Sequence, residues 1–171
     1  MITIKTESEI DLLREPCAIV RDTLAYVGSK VKPGITTAEL DAFAEEYIRS
    51  RGAEPSCLGY CGYPASICAS VNEEVVHGIP GERHLREGDI ISVDLCAYKN
   101  GFHGDGARTF AVGKIDEEKQ KLLRVTEECF WEAIKNLRAG TPLYDIGAAV
   151  QAHAESNGFS VVREFVGHGI G

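Results

Sequence analysis

No stretch of this sequence is apolar for long enough to span a bilayer, so neither a membrane-spanning helix nor a membrane partner is expected. The opening residues, MITIKTESEIDLLRE, are charged and lack the apolar segment of a secretory signal, which points to a cytoplasmic protein. Basic residues are scattered, and 18 Lys and Arg stand against 26 Asp and Glu for a net charge of −8. A chain without a basic stripe is not built for nucleic acid or an anionic surface. Common zinc spacing is missing as well. The six cysteines are expected as reduced thiols. Cys57, Cys61 and Cys68 match no frequent ligand pattern and read as small buried hydrophobes or pocket walls.

What remains is an ordinary soluble composition, 44% apolar and 26% charged over 171 residues, enough for one domain with a real core. Thr6-x-x-Glu9 is a capping box. Ile10, Leu13, Cys17, Val20, Leu24, Val27 and Val31 then follow at helical spacing, with Pro16 expected to kink or split the helix before Lys32-Pro33-Gly34 ends it. A second capping box, Thr36-x-x-Glu39, opens a helix that Gly52 stops. A loop over 53–64 precedes strands near 66–71, 74–78, 89–98 and 102–112. Helices are expected over 117–137, with Leu122, Val125, Cys129, Phe130 and Ile134 on the apolar side, and over 142–156. FSVVREFV, 159–166, reads as a last strand.

The two helix pairs align when one is shifted by 106 residues: Gly34 falls on Gly140, Leu40 on Ile146, Ala44 on Val150 and Gly52 on Gly158. This predicts a single domain over 1–171 made of a first repeat, about 6–113, and a second, about 114–171. The second is cut off as its sheet begins, which should leave apolar surface uncovered on strands 89–98 and 102–112.

Chemistry concentrates in SVDLCAYKNGFHGDGARTF, residues 92–110. Each strand of this hairpin carries a carboxylate, Asp94 and Asp105. A two-residue turn at Lys99-Asn100 would pair them directly, and one at Asn100-Gly101 would offset them by two while keeping both on one face. Such carboxylates are solvated, share a proton, or hold a cation between them. Ile91, Val93 and Leu95 fill the other face, and Ser92, Cys96, Ala107 and Thr109 surround Asp94, which is not a solvated Lys/Glu surface. Glycines flank Asp105 and permit close approach of backbone or ligand. His168, in VGHGIG, would add a nitrogen donor suited to Mn, Fe, Co or Zn. His77, in VVHGIPG, precedes a turn where it could meet a ligand.

CLGYCGYPASICASVNEEVVHGIP, GDIISVDLCAYKNGFHGDGARTF and VGHGIG resemble the type I methionine aminopeptidases, metallopeptidases of the pita-bread fold. The resemblance implies an α+β fold with pseudo-twofold helix pairs on a curved antiparallel sheet. It implies a cytoplasmic, monomeric methionyl aminopeptidase that uses two divalent ions (Co, Mn, Fe or Zn) to hydrolyse the first peptide bond of peptides or nascent chains, at the ribosome, when the second residue is small. Asp94, Asp105 and His168 would be metal ligands, with Asp105 bridging. His77 would be a catalytic substrate contact, and Cys57, Tyr60, Tyr63 and Cys68 would line the methionine pocket. Two glutamates and a second histidine of the family pattern lie beyond GHGIG, which leaves the activity of these 171 residues in question. Cys61 departs from the pattern. The different-class alternative is a non-catalytic binding or regulatory relative; a sister peptidase acting before proline or on creatine is disfavoured by the Cys/Tyr pocket.

Overall fold

The computed structural model describes residues 3–135 and 137–170. The chain divides into two compact units, Met1–Ile115 with Gly169–Gly171, and Asp116–His168.

In the first unit, α1 spans Glu7–Gly28 and α2 spans Thr37–Ser50. Both capping boxes form. The Thr6 N–H donates to Glu9 Oε2 at 2.7 Å and the Thr36 N–H to Glu39 Oε2 at 2.8 Å, while each threonine hydroxyl accepts from the glutamate's own N–H. Two backbone donors at each helix start are thereby satisfied. Gly52, at φ +66°, follows α2 as expected.

Pro16 does not split α1, and the buried stripe passes through it: Pro16, Ile19, Val20, Thr23, Leu24 and Val27, with Cys17 outside. The reason lies across the interface, on β4. A Cβ on Gly104 would lie 2.5 Å from the Pro16 carbonyl, and one on Gly106 would lie 3.0 Å from Val20 Cγ1. The missing side chains let the helix backbone settle on the strand, so the hydrogen bond that Pro16 forgoes is offset by close packing. Gly28 likewise has the Phe110 ring against it. The helix ends there, short of Lys32-Pro33-Gly34. Ser29 Oγ donates to the Tyr26 carbonyl at 2.6 Å, an acceptor that the Ser29 N–H also reaches at 3.1 Å.

The sheet is antiparallel and four-stranded: β1 (Glu54–Pro55), β2 (Ile67–Val71), β3 (Ile90–Lys99) and β4 (Phe102–Ala111). Central β3 carries β4 on one side. On the other, β1 pairs opposite Tyr98 and Ala97, and β2 opposite Leu95 to Ile91. Ile91, Val93, Leu95 and Ala97 are fully buried in one core with Ile19, Val27, Leu40 and Ile48. The apolar face of β3 is therefore covered, contrary to the expectation of bare apolar strands.

β1 falls inside the loop expected over 53–64, because two residues carry no periodicity. The strand expected at 74–78 does not form. Asn72 turns at φ +55°, the Glu74 carboxylate accepts from the Val71 N–H at 2.7 Å, and the Gly78 N–H donates to Ser70 Oγ at 3.1 Å. Side chains take the backbone groups that a strand would need.

In the second unit, α3 (Glu117–Lys135) and α4 (Tyr144–Ser156) pack around Val125, Cys129 and Ala154. The expected extension of α3 to 137 crosses residue 136, outside the described residues. Gly140 has the same φ, +91°, as Gly34. Phe130, Trp131 and Ile134 are exposed on α3. Residues 159–166 form no strand: Phe159 and Val161 pack on the helix pair.

Replacing Gly104 with Ala should destabilise the fold by about 3 kcal/mol, the upper end of overpacking costs. Gly81→Ala, with open space around its Cβ, should leave the urea midpoint nearly unchanged. Equal midpoints for the two variants would refute the glycine packing.

Candidate active site

The hairpin register follows from its turn. Asn100 and Gly101 both have positive φ, +54° and +87°, the backbone of a two-residue type I′ turn. Lys99 therefore pairs with Phe102, Cys96 with Asp105, and Asp94 with Ala107. Asp94 and Asp105 are diagonal neighbours on one face, offset by two as the Asn100-Gly101 turn requires; the direct pairing of the other turn is not formed. On its other side Asp94 faces Cys68 of β2. Ser92 and Thr109 exchange a 2.8 Å hydrogen bond on this same face. Both aspartates are half-buried.

Gly104 and Gly106 flank Asp105 for a structural reason. Alternation along β4 turns the two glycines toward α1 and Asp105 to the opposite face. The close approach they permit is that of the helix.

The 53–64 segment supplies the wall. Between β1, which pairs up to Ala97, and β2, which pairs from Leu95, the edge of β3 has a notch at Cys96. Ser56 bonds the Cys96 carbonyl at 2.9 Å, and the Cys57 sulfur accepts from the Cys96 N–H and from the Cys96 thiol. Those donors lower Cys57 to about 7, outweighing burial and the Asp94 and Asp105 charges. Cys96 moves the opposite way, since its sulfur lies between Cys57 and the Asp105 carboxylate and an anion there is opposed. Ser56 Oγ also meets His103 Nδ1 at 2.9 Å.

Tyr63 and Cys68 complete the cluster. Burial raises both, and the two are hydrogen-bonded to each other. The Tyr63 hydroxyl reaches the Ile67 and Gly78 carbonyls, each at 3.1 Å. It ties the segment carrying His77 to β2, where the Ala69 N–H also donates to the Gly78 carbonyl at 2.8 Å. His77 itself is exposed at φ +60°.

Five sequence-predicted residues thus gather in the first unit: Cys57, Tyr63, Cys68, Asp94 and Asp105. Tyr60 stands 73% exposed at a short turn, next to exposed Cys61. His168 belongs to the second unit, in an irregular exposed segment. Among the described residues no group of three or more His, Cys, Asp or Glu has metal-holding geometry. Two carboxylates set among Ser, Thr, Cys and Ala, with no Lys or Arg from Ser92 to Tyr98 or from His103 to Ala107, nevertheless form a donor pair that fits a divalent cation. Cys96, expected on the Asp94 face, lies opposite Asp105 in the hairpin register, whereas His103, which meets Ser56, is a member that no sequence signal marked.

Residues 11–171 match the model of metallopeptidase family M24. The chain is 53% identical over its whole length to a methionine aminopeptidase of Clostridium perfringens and 50% identical to methionine aminopeptidase 1 of Bacillus subtilis, covering 69% of each. The crystal structure of a methionine aminopeptidase from Thermotoga maritima superposes with a TM-score of 0.97 at 41% identity, over 99% of this chain and 69% of that one.

Alkylation of Cys57 by iodoacetamide should be half-maximal in rate near pH 7. Cys96→Ala removes the thiol donor and should move that midpoint up toward the ordinary thiol value of about 8.5. A midpoint that stays in place would show that Cys96 does not stabilise the Cys57 thiolate.

Proposed function

We propose, from the premise that this chain belongs to metallopeptidase family M24 and within it to the methionine aminopeptidases, that its sheet face carries out metal-dependent release of N-terminal methionine from chains with a small second residue. The fold is the pita-bread α+β fold of those enzymes, and the reaction class is aminopeptidase hydrolysis. The observation that carries the site assignment is the common face of Asp94 and Asp105 beside Cys57, Tyr63 and Cys68.

In this reading Asp94 and Asp105 would hold divalent metal, and His168 would offer a nitrogen donor. Co, Mn, Fe and Zn all suit a mixed oxygen and nitrogen set. When bound, the metal supplies activated water and polarisation of the scissile carbonyl. The protein's own residues do the rest. The Cys96 thiol donates to Asp105 and orients its carboxylate. Cys57, Cys68 and the Tyr63 ring offer soft, polarisable walls that suit a thioether, with exposed Tyr60 as the outer rim. Burial holds the Tyr63 hydroxyl in its protonated form, so it keeps its bond to the segment that presents His77. His77 contacts the substrate beside the scissile bond. The substrates are peptide or nascent-chain N-termini met in the cytoplasm, at the ribosome, by a monomer.

The test is a ratio of rates, which does not depend on how fast the 171-residue chain turns over. With Mn or Co supplied, Met-Ala peptides should be cleaved in preference to Lys-Ala and Glu-Ala peptides, and chelation should stop cleavage. Asp105→Asn should lower kcat/KM by about a hundredfold, or about 3 kcal/mol. Tyr63→Ala should lower it roughly tenfold, as expected for one lost pocket wall. His77→Ala should lower kcat/KM and leave Mn affinity nearly unchanged. Equal cleavage of the three peptides would reject the pocket, and full activity in Asp105→Asn would reject the metal face.

A further inference from the structure

Ser56 opens the run that carries Cys57, Tyr60 and Tyr63, and its side chain points away from that run to a distant strand. Its Oγ meets Nδ1 of His103, on β4, at 2.9 Å, a contact between residues 47 apart in sequence. The register explains the meeting. Pro55 pairs with Ala97, and the Ser56 N–H donates to the Cys96 carbonyl at 2.9 Å, so Ser56 continues the β1 alignment opposite Cys96. Cys96 in turn stands opposite Asp105, and Tyr98 opposite His103. Opposed residues share a face, as do alternate residues along one strand. Ser56 and His103 therefore stand on the face of the two carboxylates. Two strand spacings of about 4.8 Å separate β1 from β4, so the bond reaches over β3. His103 is itself braced: its ring lies 4.8 Å from the Tyr98 ring, tilted by 42°. Beyond Ser56 the segment makes its own turn. The Tyr60, Gly62 and Tyr63 N–H groups donate to the Cys57, Gly59 and Tyr60 carbonyls at 3.1, 3.2 and 2.9 Å. Those local bonds shape the turn and leave its position on the sheet open. Tyr63 ties one end to Ile67 and Gly78. Ser56 ties the other end to the strand of Asp105, two residues from it.

We propose that Ser56 and His103 are a positioning pair, whose hydrogen bond ties the segment of Cys57, Tyr60 and Tyr63 to β4 and so sets where the methionine pocket sits relative to the two carboxylates. One strand then carries both references. Asp105 marks the reacting centre, and His103 marks where the pocket wall begins. A neutral imidazole Nδ1 accepts from the serine hydroxyl in one tautomer and donates to it in the other, so the tie needs no charge. A substrate whose side chain is held by the pocket meets the reacting centre only if the two are in step, and a misplacement of about 1 Å costs up to a hundredfold in rate. Losing the tie leaves both the pocket and the carboxylates present but no longer matched to one substrate. The catalytic consequence rests on the proposed function; the tie itself does not.

The experiment uses the full 171-residue chain with Mn supplied. Ser56→Ala and His103→Phe each remove the bond, the second keeping a ring beside Tyr98. Ser56→Thr keeps a hydroxyl, and His103→Asn keeps a polar atom on Cγ, where Nδ1 stands. Amide hydrogen exchange at residue 56 and at Tyr63 should quicken roughly fivefold in the two disruptive variants, the scale of one hydrogen bond. It should stay near the parent's in the two conservative ones, and Val93, inside β3, should be unaffected in all four. The Ser56→Ala/His103→Phe double variant should quicken no further than either single one, because both remove the same interaction. Unchanged exchange in both disruptive variants, or effects that add in the double, would overturn the tie. With Met-Ala as substrate, kcat should fall roughly tenfold in the disruptive variants while KM and Mn affinity stay close to the parent's. A loosened segment with the parent's kcat would overturn the positioning role. A parent that cleaves Lys-Ala as fast as Met-Ala would reject the proposed function instead, and the exchange result would still decide whether the pair holds the segment.

Discussion

The close seating of α1 on β4 is the contact from which the candidate site follows. Gly104 and Gly106 give up side chains so that Pro16 and Val20 can approach the strand backbone. Strand alternation then leaves only one direction for the residue between them. A strand with two large residues at 104 and 106 would hold the helix away. A shift of one residue in register would send Asp105 into the apolar core against Pro16 and Val20, where an unpaired carboxylate costs several kcal/mol. The type I′ turn at Asn100-Gly101 fixes the register from the other end. Helix packing and turn chemistry thus agree on one arrangement, with both carboxylates on the face that α1 does not cover.

That face is held by polar and thiol contacts rather than by apolar packing. Ser92 bonds Thr109, Tyr63 bonds the Ile67 carbonyl of β2 and the Gly78 carbonyl next to His77, and Cys57 occupies the gap between β1 and β2. Cys57 and Cys96 shift in opposite directions: donors on Cys96 favour an anion on Cys57, while Cys57, burial and the Asp105 carboxylate oppose one on Cys96. Placing thiols and a phenol ring beside a carboxylate pair gives a surface on which a soft side chain and a hard cation can both be accommodated, as a methionine-specific metallopeptidase requires.

Much of this was legible in the sequence where a feature is local. Thr6/Glu9 and Thr36/Glu39 are reciprocal hydrogen bonds within four residues, and Asn100-Gly101 carries its own backbone preference. The common face of Asp94 and Asp105 is a matter of parity along a hairpin. Features that depend on distant residues were not legible. Pro16 reads as a helix breaker until Gly104 is known to lie against it. Residues 74–78 have strand composition, yet Glu74 and Ser70 take the backbone groups a ladder would use. Residues 159–166 have it too, yet Phe159 and Val161 turn to the helix pair. The role of Cys57 needs the gap between two strands that pair with the same edge of a third, and no sequence period marks a gap.

Under the proposed function, helix packing on the glycines of β4 aims Asp105 at the same cation as Asp94. Anomalous diffraction from crystals of the 171-residue chain grown with Mn addresses it directly. A Mn peak is expected within direct coordination distance of carboxylate oxygens from both Asp94 and Asp105, on the sheet face away from α1. A Mn peak bound by neither aspartate, or Asp105 turned toward the helix, would contradict it.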